Sequence, residues 1–297
     1  MTGVFRNYTY GFLSAVIFGA SLVVNKIGLN TSSLTSFQYT TVATSVAALL
    51  GLPFIIKSFS KLKGISRASW WQILVVGVGS GAVAYFFLFW GQRFTTAINA
   101  GFLVTLSLFL VLPFSSLLLR EKFSKRKYWF ILIMVVGVYL LTVGLGRVVP
   151  KLGDFLIIIS SVIFSFNNAL SKLPIRETGG ELFSYLRNVI GAIALVVSAF
   201  FLGGFPSINP SIGFWVIVSG VFIWAALIFW YKAVDTIGPS QSAVTALSYP
   251  IVSTALSMAL LQETLTLAQA FGGGLILFSI YQVIKKQSHF LSSLSHL

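Results

Sequence analysis

Leu118-Leu119-Arg120-Glu121-Lys122-Phe123-Ser124-Lys125-Arg126-Lys127 and Leu260-Leu261-Gln262-Glu263-Thr264-Leu265-Thr266-Leu267-Ala268 are two versions of one motif, 142 residues apart. Each closes a long apolar run and carries its glutamate at the same place. The first continues with Lys122, Lys125, Arg126 and Lys127, whereas the second continues with no basic residue. Short loops rich in Lys and Arg stay on the cytoplasmic side of a membrane. One copy therefore reads as inside and the other as outside. A chain that repeats itself with the opposite sidedness is predicted to be a duplicated membrane protein whose halves insert in opposite orientations.

The composition around these motifs agrees. Of 297 residues, 57% are hydrophobic and 9% charged, with a mean hydropathy of +0.93. Soluble domains carry roughly 25% charged residues, so a single soluble globule is excluded. A spanning helix needs about 20 apolar residues. Ten stretches qualify: Tyr8–Gly28, Ser36–Ile56, Trp71–Gly91, Ala97–Leu119 and Tyr128–Gly146, then Asp154–Leu173, Leu182–Leu202, Ile212–Tyr231, Pro239–Leu261 and Leu267–Ile284. The expected fold is an all-α polytopic membrane protein of ten transmembrane helices, arranged as two inverted five-helix repeats over 1–147 and 148–297. Further matches support the duplication. Val16-Ile17-Phe18 with Lys26 recurs as Val162-Ile163-Phe164 with Lys172, an offset of 146. Phe37-x-Tyr39 recurs as Phe183-x-Tyr185, and Phe89-Trp90 as Phe229-Trp230.

The net charge of +14 follows from 20 Lys and Arg against 6 Asp and Glu. In a soluble protein such an excess suggests nucleic acid. Here its placement favours orientation instead. With the N-terminus inside, 15 basic residues fall on the cytoplasmic side and 4 (Lys26, Arg93, Arg147, Lys151) outside, with Arg187 within a span. Both termini are expected in the cytoplasm, in a multi-pass protein of the plasma membrane. The expected partners are lipid and a small solute, with no nucleic acid; oligomeric state is not readable. Trp70, Trp71, Trp90, Trp129, Trp215 and Trp230 fall near span ends, as an interfacial belt does. Trp224 lies near mid-span. Tyr8–Gly28 reads as a span, without a cleavable leader. There is no cysteine, and His289 and His296 both lie in the C-terminal tail. Thiol chemistry, a histidine triad and a histidine zinc site in the apolar body are thereby excluded, and no metal or cofactor is expected.

The chain resembles the drug/metabolite transporter superfamily, in its EamA-type branch of ten-helix carriers. The resemblance rests on Gly19 through Lys26, Gly153-Asp154, Tyr185-x-Arg187, the segments around Glu121 and Glu263, and Gly272-Gly273-Gly274. It implies a non-enzymatic carrier that exports or exchanges small metabolites such as amino acids, with a cavity lined by the first, third, fourth, sixth, eighth and ninth spans. The chain departs from the family pattern at Thr41, where an arginine is common, and at Leu108, the counterpart of Pro250. Roles attached to that first-half arginine are not carried over.

The candidate substrate-binding residues are Asn25, Lys26, Tyr39, Tyr85, Ser165, Asn168, Lys172, Arg187, Trp224 and Tyr249. Ser161, Ser165, Asn168 and Lys172 share one helix face. A polar stripe in lipid must face protein or water, so it lines a pathway or bonds neighbouring helices. Lys26 and Lys172 are repeat partners that either snorkel or contact an anion. Arg187 needs a partner inside the bundle: Glu181 or Glu177, or the carboxylate or phosphate of a solute. Tyr39, Tyr85, Trp224 and Tyr249 suit an aromatic-walled cavity. Gly77, Gly79 and Gly81 suit close helix packing. No acid lies mid-span, which disfavours a simple proton relay, although Glu263 is placed to titrate within a cavity. Two other classes compete with a carrier. A membrane enzyme needs a cluster of acids, histidines or metal ligands at one interface, and none is visible. A structural membrane subunit leaves the polar stripes without solute.

Overall fold

The computed structural model describes residues 2–119, 126–142, 151–202, 204 and 210–294. Among these the chain is helical throughout, with no strand. This follows from the composition, because in hydrocarbon each backbone N–H and C=O must find its partner within the segment.

The first half runs α1 (Thr2–Thr31), α2 (Ser36–Lys57), the short α3 (Phe59–Leu62), α4 (Arg67–Val78), a π-helical turn (Gly79–Val83), α5 (Ala84–Phe94), α6 (Ala97–Val104), α7 (Leu106–Leu119) and α8 (Arg126–Thr142). The second half runs α9 (Leu152–Leu170), α10 (Lys172–Thr178), α11 (Gly180–Leu202), α12 (Pro210–Ala246), α13 (Tyr249–Leu260) and α14 (Leu267–Leu294). Among the described residues, five helices are long and apolar enough to cross a membrane: Tyr8–Thr31, Arg67–Phe94, Leu152–Leu170, Gly180–Leu202 and Gly213–Ile237. Shorter apolar helices cover Ala97–Val111, Tyr249–Leu260 and Leu267–Ser279. Large apolar side chains stand exposed along these helices, among them Trp71 at 66%, Phe200 at 72% and Phe201 at 79%. Such a surface is untenable in water and natural in lipid. The protein is a multi-pass membrane protein.

Two features differ from the sequence expectation. The third span is interrupted by the π turn at its glycines, the residues least favourable to a regular helix. The stretch expected as a loop between the eighth and ninth spans keeps helical backbone, within the 37 residues of α12. α12 is not one straight rod: Ala226 meets Ser14 and Thr245 meets Gly11, three residues apart on α1, and Ala226 and Ala246 line the same cavity, so the chain doubles back between them.

Helix starts are fixed by side chains. Thr35 and Gln38 form a reciprocal capping box before α2, the Thr35 N–H donating to Gln38 Oε1 at 3.0 Å and the Gln38 N–H to Thr35 Oγ1 at 3.2 Å. Thr266 and Gln269 repeat this before α14 at 3.0 and 3.2 Å. Each box satisfies two donors that a helix start leaves unpaired. Gly179, at φ 77°, turns the chain between α10 and α11, a conformation that glycine alone adopts cheaply.

Packing comes in matched pairs. α1 lies chiefly against α12 and α13, while α9, its repeat counterpart, lies against α5 and α7. α2 packs on α11, α8 on α14 and α6 on α13, each pair joining equivalent spans of the two halves. The match extends to single hydrogen bonds. Ser14 donates to the Ala226 carbonyl at 2.9 Å, and Ser160 to the Ala84 carbonyl at 2.8 Å. Lipid is as apolar as leucine, so such bonds and close backbone contact hold helices together where water would have used hydrophobic burial. Gly81 is one such contact: a Cβ there would lie 2.9 Å from Gly191 Cα and 3.0 Å from the Arg187 carbonyl. At Gly274 a Cβ would meet nothing within 4 Å.

These two glycines give a paired test. Gly81→Ala is expected to destabilise the protein by about 1–3 kcal/mol through overpacking. Gly274→Ala is expected to be neutral or stabilising by up to about 1 kcal/mol through helix propensity. Thermal unfolding of the two variants in micelles measures the difference; equal stability contradicts the α11 contact.

Candidate functional site: a central cavity and its closed end

A half-open cavity of about 80 Å³ lies between the halves. Its depth can be read from its lining. Ser14 precedes the midpoint of α1, Asn168 is near the end of α9, and Arg187 is in the first third of α11. The cavity therefore sits towards the end of the bundle that holds the start of α1. Two aromatic pairs form walls. Phe18 of α1 meets Tyr249 of α13 edge-on at 5.1 Å, and Phe164 of α9 meets Tyr85 of α5 edge-on at 5.4 Å. Phe18 and Phe164 are repeat partners, 146 residues apart. Leu108, Leu227 and Trp230 add apolar surface, while Ser107 and Asn168 add neutral polar groups. The Tyr249 hydroxyl is buried and has no hydrogen-bond partner among the described residues.

Arg187 carries the charge of the cavity wall. It is 1% exposed. Its Nη2 donates to the Ser80 carbonyl at 2.8 Å, its Nη1 donates to Asn188 Oδ1 at 3.0 Å, and its Nε is buried without a partner. The guanidinium lies over the Tyr85 ring at 5.4 Å. The acceptor Ser80 stands in the π turn, where the ladder is irregular and a carbonyl can turn aside; such turns recur at functional sites. The two acids close in sequence are engaged elsewhere. Glu181 pairs with Lys232 at 2.6 Å. Glu177 accepts from the Ser66 N–H and the Ser66 hydroxyl, each at 2.9 Å; the backbone N–H holds its carboxyl below the usual carboxylate range. Arg187 has no ion pair among the described residues.

The opposite end of the bundle is tied shut by a polar network. Asp154, at the start of α9 and 1% exposed, accepts at Oδ1 from the Thr95 hydroxyl and from Asn99 Nδ2 at 3.2 Å. Asn99 Oδ1 in turn accepts from Gln269 Nε2 at 3.1 Å. The Glu263 carboxylate receives the Ala97 and Ile98 N–H groups at 2.9 and 3.0 Å, at the positive end of the α6 dipole. Lys26 Nζ donates to the last carbonyls of α5, Gln92 at 2.6 Å and Arg93 at 3.4 Å. α1, α5, α6, α9 and α14 meet here.

The candidates from the sequence thus separate. Tyr85, Asn168, Arg187 and Tyr249 line the cavity. Lys26 and Glu263 belong to the closed end. Asn25 is 1% exposed with an unpartnered Oδ1, outside the cavity lining. Tyr39 ties α2 to α12 through a 2.6 Å bond to Ser219 Oγ. The Ser165 hydroxyl is given to the carbonyls of Ser107, at 3.1 Å, and Ser161. Trp224 stacks obliquely on Phe54 at 6.4 Å with its Nε1 buried and unpartnered. Lys172 is half-buried at the start of α10. The cavity wall draws on the spans that the resemblance implied, with the seventh added through Arg187. Ser80, Phe18, Phe164 and Trp230 were not among the candidates. The repeat match had already paired Phe18 with Phe164, and the glycine density at 77–81 was the available signal for the π turn.

Comparison with known proteins agrees with this geometry. The profile of the EamA-like transporter family matches residues 6–143 and 151–285. The chain is 28% identical over 269 residues to an uncharacterized transporter of Archaeoglobus fulgidus, covering 90% of this chain and 82% of that protein. A second uncharacterized transporter of that organism is 26% identical over 265 residues, covering 86% and 94%. One from Clostridium kluyveri is 21% identical over 278 residues, covering 90% and 89%. A solved crystal structure superposes with a TM-score of 0.65 at 16% identity, over 93% of this chain and 95% of the other; it shares the fold.

The Glu263 clamp predicts a stability effect at the closed end. Glu263→Gln removes one of two charged acceptors from the α6 start and is expected to cost about 1 kcal/mol, with Glu263→Ala costing more. Thermal unfolding in micelles reads both. Unchanged stability in both variants means that α6 does not depend on this carboxylate.

Proposed function

We propose that this chain, which belongs to the EamA-like transporter family, carries a small amphipathic organic metabolite, an amino acid or a chemical relative, out of the cell by alternating access. It is a membrane transporter rather than an enzyme. The observation that carries the finer reading is the cavity between the halves, with an aromatic wall and a buried guanidinium that has no acidic partner among the described residues. A mostly apolar cavity with a few convergent polar groups suits a small organic ligand.

In this reading ten spans form two inverted five-helix repeats, 1–147 and 148–297, in the plasma membrane with both termini cytoplasmic. The matched helix pairs and the matched bonds of Ser14 and Ser160 support the duplication. Inverted repeats place the substrate near the midplane at the repeat interface, where rocking of one bundle against the other alternates access. The charge pattern assigns the α1 start to the cytoplasm, so the cavity lies on the cytoplasmic side. The Asp154–Thr95–Asn99–Gln269 network then closes the external side. The alternate state breaks this network and closes the helix ends around Glu181 and Lys232.

Purified protein in liposomes tests the reading. A panel of amino acids and related amphipathic metabolites is expected to include a solute that moves faster than in protein-free vesicles. Asn168→Leu is expected to lower that rate about tenfold or more, with thermal stability within about 1 kcal/mol of the parent. Reporters fused to the two termini are expected to read cytoplasmic at both. A panel without a transported solute, together with an inert Asn168→Leu, removes the carrier reading; an external C-terminus removes the ten-span arrangement.

A further inference from the structure

We infer that the solute carries a single negative charge in the cavity: a monocarboxylate with an aromatic or branched apolar tail, preferred over the zwitterionic amino acid of the same skeleton. This rests on the carrier reading of the cavity and sharpens its substrate class.

The inference comes from charge accounting. Among the described residues that line the cavity, Arg187 is a cation and none is an acid. Glu181 is held by Lys232, Glu177 by Ser66, and Asp154 and Glu263 lie at the closed end. The guanidinium is thus buried against neutral acceptors, the Ser80 carbonyl and the Asn188 amide, with Nε unpartnered. A buried charge of this kind is costly until an opposite charge reaches it. A carboxylate matches the guanidinium in charge and in fork geometry. One carboxylate neutralises the site, whereas a phosphate dianion leaves an excess negative charge.

An α-ammonium group does the reverse. It adds a second positive charge to a wall that already holds one, and no lining carboxylate receives it. Aromatic faces attract cations, but the Tyr85 face already carries Arg187. The neutral acceptors that remain, Asn168, Ser107 and Ser14, replace water poorly for an ammonium ion. Phe18, Phe164, Leu108 and Trp230 provide the surface for an apolar tail.

Four probes with a phenyl ring on a three-carbon chain isolate the charge: 3-phenylpropionate, L-phenylalanine, 3-phenylpropylamine and 3-phenylpropanol. Binding to the purified full chain in nanodiscs is measured by calorimetry and thermal shift. 3-Phenylpropionate is expected to bind about tenfold or more tightly than each of the others, the range of a charge-assisted hydrogen bond. Arg187→Gln is expected to abolish that preference, and Arg187→Lys to keep its direction. If Arg187→Gln does not fold, the parent series and the lysine variant still decide. Tighter binding of the zwitterion, the amine or the alcohol overturns the charge assignment and leaves the carrier reading standing. Absence of binding by all four overturns both. A preference that survives Arg187→Gln overturns the role given to this residue.

Discussion

A peptide carbonyl or N–H that leaves its helix inside a bilayer finds no water to replace the lost bond. In this protein two of the described interruptions are matched by side chains from elsewhere. The α5–α6 break at Thr95 and Thr96 is held from three sides: Thr96 Oγ1 receives the Asn99 N–H at 3.0 Å, Glu263 receives the next two free N–H groups, and Lys26 covers the last carbonyls of α5. The Ser80 carbonyl, in the π turn at Gly79–Val83, accepts a hydrogen bond from Arg187 Nη2. Buried charges are costly in lipid. They occur here where a broken helix gives them something to bond. The interruptions thus dictate where the few ionisable residues reside, and those places are the cavity wall and the closed end.

The same economy shapes the packing. Helices in lipid gain little from burying leucine, so contact relies on close backbones and short polar bridges. Gly81 against Gly191, Gly91 against the Gly153 carbonyl and Gly19 against the Tyr249 carbonyl bring helices within reach of one another's main chains. Ser165, the repeat counterpart of Gly19, bonds the Ser107 carbonyl, the counterpart of Tyr249. One half meets its neighbour with a missing side chain and the other with a hydroxyl, and both keep the helices close. Several serines singled out for function in the sequence therefore serve as joints between helices, Ser161 and Ser165 most clearly.

How much of this was readable in advance follows from the range of each interaction. Apolar runs and basic loops are local, so the helical segments and the sidedness pattern stood in the sequence. The capping boxes Thr35-x-x-Gln38 and Thr266-x-x-Gln269 stood there too, in plain four-residue form. The continuation of α12 through residues 232–237 did not, because a short polar stretch between apolar runs reads equally as a loop or as a helix. The depth of Arg187 was legible from its span; its partners were not. Glu181 and Glu177 were the natural choices by proximity along the chain, and the fold gives one to Lys232 and the other to Ser66, 51 and 111 residues away. The closed-end network unites Thr95, Asp154 and Gln269 over gaps that no periodicity spans.

The helix pairings of the two halves correspond, but their charges do not. Arg187 corresponds by repeat to Thr41, whose hydroxyl merely returns to the Phe37 carbonyl at 2.9 Å. The pairs Phe18 and Phe164, and Ser14 and Ser160, keep their chemistry across the repeat; the charged position does not. The single buried guanidinium breaks the match between the halves at the cavity wall. Its Nη2 bond to Ser80 ties it to the π turn, and the turn joins α4 to α5, the helix that runs from Tyr85 at the cavity to Thr95 at the closed end.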